Sequence, residues 1–156
     1  MSTKPRVLVL GLGNELLGDD AVGIMVTREL HKQLSNYLSH KASFVATNSF
    51  GYALLDLIEG YDRLIVIDSM KVAPDEVGSI HEFDLDDLPS GTLSPHEISL
   101  KDLISIGRHV GLKMPSDVKV IAIGVEGDYF QLSERVKSSL PKILEDVKSL
   151  LLKYVD

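Results

Sequence analysis

Glu15, Asp68 and His96 are the side chains of this chain best suited to act together on a substrate. Each is expected beyond an apolar run: Glu15 after residues 7–10, Asp68 after residues 64–67, and His96 on a polar segment after residues 79–83. Two carboxylates and one imidazole form a mixed oxygen and nitrogen donor set. Such a set suits Zn, Ni, Mn or Fe, with positions left for water or substrate. A metal held there polarises a peptide carbonyl or lowers the pKa of bound water. Without a metal, the same acids serve as general acid and base. Each residue also has a plainer reading. Glu15 would solvate a turn, and Asp68 would accept backbone N–H bonds at a strand end. His96 would be a surface histidine inside a capping box, with Ser94 as N-cap, Pro95 at N1 and Glu97 at N3.

The elements that must position these groups follow from hydrophobic spacing. Residues 7–10, 64–67 and 118–123 are apolar, β-branched and nearly continuous, as central parallel strands covered on both faces require. Residues 43–47 form a shorter fourth candidate, and residues 79–83 alternate as an edge strand does. Helical spacing appears over 20–34, 52–59, 100–110 and 133–154. Pro141 predicts a kink or break in the last of these. Strands alternating with helices imply an α/β fold: a three-layer, mostly parallel twisted sheet with an antiparallel edge strand and helices on both faces. Residues 72–78 and 84–95 are the longest irregular segments, and loops of that length are often functional. One domain over residues 1–156 is expected, since no repeat or linker interrupts the pattern.

In an open parallel sheet, ligands bind beyond the carboxyl ends of the strands. That rule also gathers Gly11, Gly13, Asn14, Asp19, Asp20, Ser69, Gly124, Glu126 and Asp128. Asp19 and Asp20 precede the first helix and are expected to cap its amides. His31, His40, His81 and His109 fall away from this edge and read as solvated or structural. The glycine loop invites comparison with a dinucleotide site, but its third glycine, Gly18, comes too late for G-x-G-x-x-G. The second strand ends Ala46-Thr47-Asn48, without the acid that holds a ribose. No nucleotide is expected.

Composition narrows the classes. The chain has 156 residues, a formal net charge of -7 and no cysteine. Cysteine chemistry of every kind is excluded, and the absence fits a reducing compartment. The acidity and the lack of a Lys/Arg cluster argue against a nucleic-acid partner. The first apolar run is too short for a signal peptide, and no run approaches a membrane span. A cytoplasmic protein with no membrane association is expected, and a monomer is the default.

Gly11-Leu12-Gly13-Asn14-Glu15-Leu16-Leu17-Gly18-Asp19-Asp20-Ala21-Val22-Gly23 closely resembles the opening motif of the nickel-iron hydrogenase maturation endopeptidases. Asp68 in Val66-Ile67-Asp68-Ser69 and His96 in Ser94-Pro95-His96-Glu97-Ile98-Ser99-Leu100 match that family's second and third motifs in order and approximate distance. The resemblance spans nearly the whole chain. It implies a metal site made by Glu15, Asp68 and His96, with Gly13, Asn14 and Asp20 bordering the substrate. It implies removal of a short C-terminal extension from a hydrogenase large-subunit precursor after nickel insertion. The metal would be the substrate's nickel or another divalent ion such as Zn. Ala21 stands where the family usually has glycine, and Pro95 where it commonly has Ser or Thr. Peptidyl-tRNA hydrolases open with a similar strand-Gly-Leu-Gly-Asn, but the acidic charge argues against that activity. A metal-binding assembly chaperone that does not cut its partner is a further alternative.

Overall fold

A computed structural model describes residues 5–16, 18–38, 40–88, 99–127 and 131–155. Five strands, β1 (Val7–Leu12), β2 (Ala42–Thr47), β3 (Arg63–Lys71), β4 (Ile80–Asp84) and β5 (Asp117–Val125), form one sheet in the order β2-β1-β3-β5-β4. The first four in that order run parallel, and β4 closes the edge antiparallel to β5. Four helices flank the sheet: α1 (Val22–Leu38), α2 (Ala53–Ile58), α3 (Leu100–His109) and α4 (Glu134–Val155). The expected three-layer α/β architecture is the one observed. Among the described residues, no helix is long and apolar enough to cross a membrane.

Side-chain alternation sorts the core into two halves. Val7, Val9, Ile65, Ile67, Ile121 and Ile123 face α1 and α4. Leu8, Leu10, Leu64, Val66, Val118 and Val120 face α2 and α3. The period of two explains why these strands read as continuous apolar runs: each residue meets a helix layer on one side or the other.

β1 sends the chain through α1 to β2 on one side. β3, on the other flank of β1, leads away toward β4 and β5. The strand order therefore reverses between β1 and β3, and their carboxyl ends are the switch point where a ligand crevice is expected in such sheets. The first turn of α1 is seated against those ends. A Cβ on Gly23 would lie 2.4 Å from the Leu12 carbonyl oxygen and 2.7 Å from that of Ile67. A Cβ on Gly13 would meet the Asp20 carbonyl oxygen at 2.1 Å. Both positions need glycine because another backbone occupies the space a side chain would take.

One sequence expectation is corrected. Pro141 does not break the last helix, which runs unbroken from Glu134 to Val155. Val136, Ile143, Val147, Leu151 and Val155 anchor it to the sheet on both sides of the proline. Pro141 and Lys137 are exposed, so the carbonyl left without its N–H partner reaches water. The cap of α3 is Ser99, whose hydroxyl accepts from Asp102 N at 3.2 Å. The expected capping box at residues 94–97 lies outside the described residues.

Gly23→Ala should lower unfolding free energy by about 3 kcal/mol, since the added methyl meets two strand backbones that cannot both yield. Urea denaturation of the two proteins measures it; equal midpoints would show that α1 is not tightly seated.

Candidate active site

Asp68 marks the bottom of the crevice. It lies within β3 rather than after it, because β3 continues through Ser69, Met70 and Lys71 alongside β5. β1 stops earlier: its last register partner on β3 is Ile67. Asp68 thus occupies the point where β3 loses its β1 neighbour. The residue is completely buried, and its Oδ1 accepts from Ser69 N at 2.7 Å. Alternation carries its side chain to the α2/α3 face and Ser69 to the α1/α4 face. There the Ser69 hydroxyl donates to Asp20 Oδ1 at 2.8 Å.

Asp20 is therefore beside the candidate site. Asp19 departs from its expected role. Fully buried, it reaches across the sheet edge instead of capping α1. Its Oδ2 accepts from Glu126 N at 3.2 Å and Gly127 N at 3.4 Å, and its Oδ1 accepts from Ser133 N at 2.8 Å. One carboxylate thereby ties the turn before α1 to the chain leaving β5 and to the start of α4. Residues 18–21 form a short 3-10 turn, which aims Asp19 away from the α1 amides.

Glu15 stands on the loop after β1, at the crevice mouth. Its backbone N–H donates to Asn48 Oδ1 at 3.3 Å, joining this loop to the end of β2. Asn14 Oδ1 accepts from Leu16 N at 2.9 Å and tightens the same turn. The Glu15 carboxylate pairs with Arg28 of α1 at 2.9 Å, with both side chains about half exposed. That hydrogen bond, opposed by partial desolvation and helped by the guanidinium charge and by Asn48, holds the Glu15 carboxyl below its ordinary 4.5. Arg28 and Asn48 escaped sequence reasoning as neighbours of Glu15. Neither belongs to a spacing pattern, and only the fold brings them to this loop.

His96 lies outside the described residues, as do Ser94, Pro95, Glu97 and Asp128. Leu88 and Leu100, on either side of the segment that carries His96, both pack in the α2/α3 half of the core. That is the face to which Asp68 turns. Among the described residues, no group of three or more His, Asp or Glu is placed to hold a metal. The described donors are a buried carboxylate and an exposed, ion-paired one, both hard oxygen ligands for a divalent ion.

The opposite edge of the sheet is built differently. Arg63 Nε pairs with Asp117 Oδ2 at 2.8 Å and its Nη1 donates to the Tyr154 carbonyl at 2.9 Å. The Tyr154 hydroxyl donates to Glu82, and Lys119 pairs with Asp84. Burial and then the Glu82 contact push the Tyr154 hydroxyl up to about 12. These groups satisfy one another, as structural polar networks do.

A family model described as hydrogenase maturation protease matches residues 24–150. The Hydrogenase 2 maturation protease of Escherichia coli K12 is 28% identical over 151 residues, covering 94% of this chain and 90% of that one. The solved hydrogenase maturating endopeptidase HybD of E. coli shares the fold, with a TM-score of 0.74, 24% identity, and coverage of 96% and 93%. The [NiFe] hydrogenase maturation protease HybD of Thermococcus kodakarensis superposes with a TM-score of 0.66 at 25% identity, covering 93% and 98%.

Asp19→Ala should cost about 3 kcal/mol in urea denaturation, because three N–H donors lose a charged acceptor; an unchanged midpoint would show those contacts to be dispensable. Arg28→Ala should raise the Glu15 titration midpoint toward 4.5, read by NMR of the side-chain carboxyl. A lowered carboxyl supports the fold above its unfolded pKa and loses that support as pH falls through the folded value. A midpoint that does not move would separate Arg28 from Glu15 in solution.

Proposed function

The chain belongs to the hydrogenase maturation protease family, and we propose that it is an endopeptidase that removes the C-terminal extension of a nickel-iron hydrogenase large-subunit precursor once nickel is in place. The observation that carries this reading is Asp68: a fully buried carboxylate where the β1–β3 ladder ends, beside the glycine loop. Burying an aspartate in an apolar strand is costly, and a functional ligand or base accounts for that cost.

In this reading Glu15, Asp68 and His96 receive the nickel that the substrate brings, and a surrogate such as Zn would fit the same donors. Glu15 exchanges Arg28 for the metal. Exposed ion pairs contribute little, so the exchange is inexpensive. Gly13 and Asn14 keep the loop low enough for an extended substrate strand to lie over it, and Asp20 borders that strand. Water attacks the scissile carbonyl carbon. Its proton passes to a carboxylate of the set and then to the departing amine nitrogen as the C–N bond breaks. The nickel check in this reading is that, without the ion, nothing draws the tail toward Asp68. The reaction takes place before the precursor is assembled, in the cytoplasm.

Intact-mass analysis of nickel-loaded and nickel-free precursor tests the reading. The wild-type protein should shorten only the loaded form. Asp68→Asn and His96→Ala should slow shortening by roughly 100-fold or more while the far-UV spectrum is retained. Unimpaired cleavage by both variants would remove these residues from the site. Binding with no change in mass would make the protein an assembly chaperone.

A further inference from the structure

Six large apolar side chains are exposed among the described residues: Leu16, Met25, Tyr37, Phe50, Tyr52 and Val110. Singly scattered ones need no explanation, but a cluster does. Met25 and Tyr37 are on α1, and Val110 follows α3. The other three gather at one place. Leu16 is 78% exposed and adjoins Glu15, whose N–H is held by Asn48. Phe50 and Tyr52, 55% and 64% exposed, follow Asn48 on the same β2 exit. β1 and β2 end side by side, with Leu12 opposite Thr47, so the two loops leave the sheet together.

Both loops are pinned. Leu16 N is bound by Asn14, and Ser49 N donates to Thr47 Oγ1 at 3.0 Å. These hydrogen bonds turn the backbone beside Leu16 and Phe50.

We propose that Leu16, Phe50 and Tyr52 form a substrate subsite that takes an apolar side chain of the extended precursor segment beside the bond cut. The inference rests on the endopeptidase reading and deepens it. The occupant is a substrate strand for two reasons. The patch is continuous with the Glu15 loop, so a strand reaching Asp68 from the β2 side crosses it. Glu15, paired with Arg28, and Asp20 lie beside the patch on a chain of net charge -7, so an acidic segment is disfavoured there and an apolar one is not.

The test uses the full chain and its nickel-loaded precursor. Leu16→Ser/Phe50→Ser removes exposed side chains only, and its melting temperature should match wild type. Its KM for the precursor should rise roughly tenfold with kcat little changed. Placing Asp in turn at the precursor positions on either side of the cut should cause a similar rise for wild type at the position the patch receives, and little further rise for the double variant. An unchanged KM in the double variant, with wild type active, overturns the subsite and leaves the protease standing. If wild type itself leaves the loaded precursor uncut, the endopeptidase reading fails and the subsite with it. Concentration-dependent dimers in sedimentation, lost in the double variant, would give the patch to a second copy of the chain and also overturn the proposal.

Discussion

The first turn of α1 lies against the carboxyl ends of β1 and β3 more closely than any side chain would permit. Gly23 leaves room for the Leu12 and Ile67 carbonyls, and Gly13 leaves room for the Asp20 carbonyl. This contact shapes everything at that edge of the sheet. It brings Asp20 to Ser69, draws the Glu15 loop down beside β2, and leaves Asp68 at the base of the opening between two strands. A helix seated farther out would separate these groups, and the crevice would have no floor.

Close seating also creates a polar problem. The chain leaving β5 and the start of α4 present N–H groups near the turn before α1, where little water reaches. Asp19 answers it with one carboxylate on three donors. A buried charge is tolerated when hydrogen bonds replace its lost hydration, and here the bonds link three separate chain segments. The two neighbouring aspartates of the opening motif thus have different tasks. Asp19 binds the frame together, and Asp20 borders the opening.

The two ends of the sheet show a division of labour. At the amino ends of the parallel strands, Arg63, Asp117, Lys119, Asp84, Glu82 and Tyr154 satisfy one another. At the carboxyl ends, Asp19 and Asp68 are buried while Glu15 and the apolar side chains of Leu16, Phe50 and Tyr52 are exposed.

Strand and helix positions were legible because burial imposes a period: β-branched runs for strands covered on both faces, and stripes at helical spacing for α1 and α4. The ends of elements were less legible. β3 outlasts its apolar run because pairing with β5, not residue type, carries it through Ser69 to Lys71. Pro141 misled for the same reason, since tertiary packing holds α4 together across it. Of the candidate site, the sequence by itself singled out the candidate donors, Glu15, Asp68 and His96, and the glycine loop, because candidate chemistry is read from residue type and motif. Tertiary structure alone decided that Asp19 braces three segments, that Asp20 reaches Ser69, and that Arg28 and Asn48 hold Glu15. Those pairings join residues far apart along the chain, and a side chain's hydrogen-bond partner is set by which backbones meet in space, which no local pattern records.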